Sequence, residues 1–522
     1  MKRSHFCFAS FLLFLAQVTS LYSDSLHRQV SDGALRGSLS GDGQVIAFKG
    51  IPYAAPPVGN SRWKKPQPVA SWEGVRDATR FGPRAMQQPI WDDMFFFDEG
   101  PSEDCLYLNV WTPADQDLKN LPVMFWIHGG GFLAGGTSEP RQNGEELAKK
   151  GVIVVSVGYR MGVFGFMAHP ELTKESPDGA SGNYGLLDMV AALQWVQENI
   201  EVFGGDVGNV TIFGESAGSW AVSSLIASPL AEGLFHKAIA QSGAVLNPWR
   251  NPPALAEAEK VAVDFASEHL GASSLKELRA LSGKELMDTQ WAKAQWSFSV
   301  CVDGLFFPKA PQEIFDAKEQ NHVPLMAGWT LDESGPGGFL EQLKPTVANF
   351  ETKAQEVFGE RADEFLAVYS PKDKEEVIRA AADFAGDRFI SHGTWRLIEA
   401  QSKDESLPVY RYRFDQTLPL PADAPKGTRP RAAHAWEIEY VFDVIDSKDL
   451  PWRDSDREVA KMMADYWTNF AKSADPNGAG LPEWPAYNRD PNKPVLHIDA
   501  TPSVSSDTHR ERYEFLDSFT AE

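Results

Sequence analysis

The chain has 522 residues, enough to bury a large core. Apolar residues make up 43% and charged residues 23%, and the formal charge of −23 argues against nucleic acid or an anionic membrane surface as the main partner. Three cysteines cannot build a disulfide scaffold, and no Cys or His spacing suits a structural metal.

The first element is an address. Lys2 and Arg3 precede an apolar run at 6–16, and small residues follow. This layout predicts a secretory signal peptide over 1–23, lost on export together with Cys7. That leaves Cys105 and Cys301. No later stretch reaches about 18 uninterrupted apolar residues, so no membrane span is expected in the mature chain.

Apolar runs then alternate with helical patterns. "LPVMFWIHGGG" predicts a buried strand at 123–127 that ends in glycines, and "GVIVVSVGYR" a second at 152–157. "LLDMVAALQWVQENI" has apolar residues near 3.6-residue spacing and predicts a helix. "NVTIF" predicts a strand and "SAGSWAVSSLIAS" the helix behind it; the sequon at Asn209 begins this strand and is expected to stay unmodified. "HKAIAQSG", "VPLMAGWT" and "LPVYRYRFD" predict three more strands. Strands alternating with helices imply a mostly parallel sheet covered on both faces, in one large domain over 24–522. Two inserted segments, 250–320 and 339–405, read as mainly helical and are candidate caps over a site.

The sequence "IFGESAGSW" places Ser216 between Gly214 and Gly218, after a strand and before a helix. A tight strand-to-helix turn of this kind lifts a serine hydroxyl above the sheet edge. Its neighbours must be small because strand and helix pass close to them. Ordinary strand-to-helix turns can share the pattern, so the turn needs partners. Acyl transfer requires hydrogen-bond donors for an oxyanion, and "HGGGF" (128–132) follows the strand expected beside the serine strand. Gly130, Gly131 and Ala217 are the candidate N–H donors.

A serine nucleophile also needs a base, and the base an acid; where the serine sits on a strand-to-helix turn of this kind, the chain order is Ser, acid, His. Seven histidines follow Ser216. His434 opens an amphipathic segment after a Pro-rich loop and is the leading candidate. His236, His269, His322, His392, His497 and His509 sit in strand-like, helical or terminal contexts. "LMAGWTLDESGPGG" supplies two adjacent acids, Asp332 and Glu333, and spacing does not choose between them.

These motifs together resemble the type-B carboxylesterase family, which includes cholinesterases and bacterial para-nitrobenzyl esterases. The likeness runs through "GIPYAAPPVGNSRW", "SEDCLYLNVWTP", "WIHGGGF", "GNYGLLD", "FGGDVGNVTIFGESAG", "AIAQSGA", "HAWEIEYVF" and "YWTNFAKSADPN". It implies an α/β-hydrolase fold and a serine esterase that uses neither metal nor cofactor. It assigns the acid to Glu333 and the base to His434, keeps Gly130, Gly131 and Ala217 as oxyanion donors, and gives Glu215 and Ser242 supporting roles. It also implies two buried ion pairs, Arg62 with Glu103 and Arg160 with Asp188.

Two departures from the family stand out. The usual disulfide partner of Cys105 is missing near Ala85, so both thiols are expected free, with the loop 86–104 held by packing of Trp91 and residues 95–97. The choline-binding tryptophan has no clear counterpart; Phe95 lies near its place. By resemblance Trp249, and with it Trp296, should line the pocket, while Pro336-Gly337 suggest room near the acid. The expected partner is a small-molecule or lipid-like ester. Alternatives are a lipase or a hydrolase of bulky aromatic or polymeric esters, and, in another class, a non-catalytic adhesion protein of the same fold. A histidine base further predicts activity that falls below roughly pH 6–7.

Overall fold

The computed structural model describes residues 25–115 and 117–520. The expected signal peptide, with Cys7, lies outside the described residues. The eleven strands of the main sheet are β1 (Ser38–Leu39), β2 (Val45–Pro52), β3 (Tyr107–Pro113), β4 (Leu121–Ile127), β5 (Ile153–Val157), β6 (Gly205–Glu215), β7 (Lys237–Gln241), β8 (Leu325–Thr330), β9 (Val409–Phe414), β10 (Pro494–Ile498) and β11 (Ser503–Ser506). Their spatial order is β11-β10-β9-β8-β7-β6-β4-β5-β3-β2-β1. The run from β5 to β10 is parallel, and the strands at either edge are antiparallel.

Alternation along the strands explains the two covered faces. Val123, Phe125 and Ile127 of β4 point into one core, which holds Leu186, Leu193, Leu225 and Ile226. These come from α1 (Tyr184–Asn199) and α2 (Ala217–Ala227). Met124 and Trp126 point the other way, into a core with Trp467 and Phe470 of α3 (Asp454–Ser473). Because successive side chains in a strand leave opposite faces, a strand buried on both sides must be apolar throughout. This is why 153–157 reads as an unbroken run with only Ser156 to interrupt it; Asn109 satisfies that hydroxyl at 3.0 Å.

The two inserted segments fold mainly as helices, with Leu255–Phe265 and Gly283–Lys293 in the first and Val347–Phe358, Lys374–Gly386 and His392–Gln401 in the second. The second has its own aromatic core of Phe339, Phe350, Phe358, Phe365 and Phe384. Both anticipated ion pairs form. Arg62 donates to both oxygens of Glu103 at 2.6 Å, and Arg160 donates through Nε and its second terminal nitrogen to Asp188 at 2.8 and 2.6 Å. Cys105 and Cys301 are free and buried.

The loop 86–104 differs from expectation. Trp91, Phe95 and Phe97 are 39%, 64% and 69% exposed, so these rings do not hold it by packing. Polar anchors do. Gln87 exchanges two hydrogen bonds with the backbone of Gly135, at 2.7 and 2.9 Å. Asp98 pairs with Arg84 and accepts from the Ser138 hydroxyl at 2.6 Å. Only Phe96 is half-buried, with the Arg84 guanidinium 4.5 Å from its ring centre.

Candidate active site

Ser216 occupies the single residue between β6 and α2, at φ 56 and ψ −119. A serine pays for positive φ with steric strain, so the surroundings must over-determine the turn. Two glycines do so. A Cβ on Gly218 would fall 2.0 Å from the Ile127 carbonyl oxygen, and one on Gly214 would sit 2.7 Å from both that oxygen and the Gly218 carbonyl. Strand and helix therefore cross at a separation that no other residue permits, and the serine is forced to the top of the turn. Its N–H donates to Gln241 O at 2.9 Å and its carbonyl accepts from Trp220 N at 2.9 Å.

His434 reaches the serine from a loop 218 residues further on. Its Nε2 lies 2.9 Å from Ser216 Oγ and its Nδ1 2.5 Å from Glu333 Oε2. Glu333 is itself fixed through its other oxygen, which accepts from Ser242 Oγ at 2.6 Å and Thr330 N at 2.7 Å. Asp332 turns the opposite way. It accepts from Arg379 at 3.0 Å and Ala432 N at 3.1 Å. The structure thus brings Ser216, His434, Glu333 and Ser242 into one chain of hydrogen bonds.

The glycine turn after β4 runs alongside. Gly129 passes so near that a Cβ there would be 3.1 Å from the Ser216 Cβ and 2.6 Å from Glu215 O. Gly130 has φ 106 and Gly131 φ 63, and a Cβ on Gly130 would lie 2.0 Å from Ala134 O. Neither N–H donates to a backbone acceptor among the described residues. Ala217 begins α2, where N–H groups lack helical acceptors and the helix dipole favours negative charge. Tyr159 braces this turn by donating to His128 O at 2.7 Å.

Carboxyl groups crowd the imidazole. Glu215 Oε1 is 3.3 Å from His434 Nε2. Burial pushes Glu215 up to about 7, with Glu333 reinforcing the push and His434 and Arg141 opposing it. Burial works against the imidazolium, but Glu215 and Glu333 outweigh it and hold His434 up at about 9. Glu437 lies deeper, with no hydrogen-bond partner on either side-chain oxygen among the described residues, and burial, followed by Glu215 and Glu333, pushes its carboxyl well above the usual range.

The expected pocket residues divide. Trp296 is 59% exposed and stands over the glycine turn: a Cβ on Gly131 would touch its ring at 2.7 Å and Trp91 at 3.8 Å. Trp249 instead packs against Phe519 and Phe384, with ring centres 5.9 and 6.3 Å away, in the aromatic core of the second insertion. Phe95 faces solvent. The aromatic contact to the imidazole comes from Phe389, 5.2 Å between ring centres, in a turn of wide π-helical winding. Sequence reading missed Phe389 and Glu437, and gave Trp91 a packing role in the loop 86–104 rather than a place beside Gly131. Only Glu437 left a signal, as an acid three residues after His434 in a largely apolar segment whose other acid is Glu439.

The model of the carboxylesterase family matches residues 24–516. Among curated proteins, the fumonisin B1 esterase of Sphingopyxis macrogoltabida is 36% identical over 476 residues, covering 89% of this chain and 85% of that protein. Carboxylesterase 5A of Canis lupus familiaris is 36% identical over 90% of this chain and 84% of its own length. A medium-chain fatty acyl-CoA hydrolase precursor of Anas platyrhynchos is 36% identical over 90% and 87%. With the α/β-hydrolase sheet already in place, these matches show that the chain belongs to the carboxylesterase family and is a carboxylic ester hydrolase.

Proposed function

We propose that residues 24–522 form one exported serine carboxylesterase domain that works through an acyl-enzyme on Ser216. The observation that carries this reading is the unbroken relay from Ser216 Oγ through His434 to Glu333, at 2.9 and 2.5 Å. Nε2 takes the hydroxyl proton as Oγ attacks the ester carbonyl carbon, and the carbonyl electrons move onto oxygen. Gly130, Gly131 and Ala217 N–H groups receive that oxyanion, each such donor being worth about 10²–10³ in rate. The imidazolium lies between Glu333 and Glu215, which stabilise its charge; Ser242 and Thr330 N keep Glu333 aimed. His434 then gives the proton to the departing alcohol. Water repeats the sequence on the acyl-enzyme and releases the acid. No step calls for a metal or cofactor.

The test is Ser216→Ala. Hydrolysis of 4-nitrophenyl butyrate should fall by at least about 10⁴-fold, with thermal unfolding nearly unchanged. Retention of most activity would overturn the assignment. Export rests on residues 1–23, and secreted protein starting within a few residues of position 24 would support it; secreted protein with Met1 intact would not. A narrower second reading, a hydrolase of bulky aromatic esters, is favoured by the exposed Trp91 and Trp296 beside Gly131. An ester panel graded by alcohol size separates it from a general esterase. The intact relay weighs against a non-catalytic adhesion protein.

A further inference from the structure

Arginines around the site have acidic partners in all but one place. Arg141 pairs with Glu139 at 2.8 Å and Arg379 with Asp332 at 3.0 Å. Arg250 has no side-chain hydrogen bond and no ion pair among the described residues; its guanidinium carbon lies 4.8 Å from the centre of the Phe389 ring. Phe389 is the ring that packs on His434 at 5.2 Å, so the guanidinium is within about 10 Å of the imidazole centre. Arg388, next to Phe389, also has no carboxylate partner among the described residues; it donates to Gly338 O at 3.0 Å. The Arg250 side chain is exposed; crowding by the surrounding protein, and then the Arg388 charge, lower its proton affinity, which places the two cations in each other's field. Asn247 fixes this arrangement by donating to the carbonyls of Arg388 and Phe389 at 3.2 and 3.0 Å.

Two guanidinium groups without a carboxylate partner among the described residues, Arg250 exposed and Arg388 half-buried, thus lie beside the site in a chain with 72 acidic and 49 basic residues. Stacking on Phe389 orients Arg250 without neutralising it, and the planar fork of donors matches a carboxylate. The Glu333 and Glu215 carboxyl groups beside His434 and the net charge of −23 work against an anionic ester, and a local cation pair would offset this.

We propose that Arg250, with Arg388 beside it, recognises a free carboxylate on the substrate, so that the preferred esters are acidic ones. The inference rests on the esterase reading. Its probes are mono-4-nitrophenyl glutarate against 4-nitrophenyl hexanoate, with the carboxylate on the acid side, and 4-acetoxybenzoate against phenyl acetate, with it on the alcohol side. The readout is the anionic-to-neutral ratio of kcat/KM. In one pair that ratio should fall at least tenfold in Arg250→Gln, be largely kept in Arg250→Lys, and decline with added salt in the wild type but not in Arg250→Gln. The pair that responds locates the carboxylate. Ratios in both pairs that are unchanged by Arg250→Gln would overturn the proposal, and so would an equal loss in Gln and Lys variants, which would mark Arg250 as a stacking residue. Hydrolysis of the neutral esters by the wild type reports separately on the esterase reading.

Discussion

Glu215→Gln should move the acid limb of the pH–rate profile downward. The substitution keeps shape and removes one charge 3.3 Å from His434 Nε2. A base works only when unprotonated. With the imidazole held at about 9, kcat/KM should climb with pH well beyond the 6–7 that an ordinary histidine would give. At 3.3 Å the Coulomb energy of the pair is about 1 kcal/mol in water and about 5 kcal/mol at an effective dielectric of 20. At 1.36 kcal/mol per pH unit, even the lower figure lowers the limb by about one unit. Glu215 is itself held near 7, so its charge, and this effect, develop above neutrality. The assay is kcat/KM for an aliphatic ester by titration of released acid from pH 5 to 10, for wild type and variant. A limb that stays in place, or rises, would refute the electrostatic account of the imidazole.

Other substitutions probe the supports. Ser242→Ala removes a 2.6 Å hydrogen bond to Glu333 but leaves Thr330 N in place; loss of a hydrogen bond to a charged group, about 1.5–3 kcal/mol, predicts a roughly ten- to hundredfold fall in kcat with little change in thermal stability. Gly218→Ala forces a methyl 2.0 Å from the Ile127 oxygen, so the turn cannot keep its shape; activity should vanish and the melting temperature fall, whereas a fully active variant would contradict the crossing geometry. Asp188→Ala strands Arg160 in the core and should destabilise by about 3–5 kcal/mol, read by chemical denaturation.

Much of this was legible in the sequence because the constraints are local. β4, β5 and the second half of β6 announce themselves as apolar runs, and Gly214 and Gly218 sit where close contact admits no side chain. The choice between Asp332 and Glu333 was not local. The two residues point apart, one to Arg379 and one to His434, and only the path of the chain 100 residues later decides which meets a histidine. The aromatic run at 95–97 misled because an irregular loop has no period to sort rings inward, and its anchors are the polar Gln87 and Asp98. Trp249 was misplaced and Phe389 missed for a similar reason: Trp249 packs on the aromatic core of the second insertion and Phe389 belongs to that insertion, whose packing on the site follows from helix docking rather than from spacing.

The most direct measurement is covalent. Treating the protein with a fluorophosphonate ester and mapping the peptides by mass should place one adduct per chain on Ser216, with ester hydrolysis lost in proportion. Hydrolysis that survives complete labelling of Ser216, or inactivation with the adduct on another residue, would contradict the account.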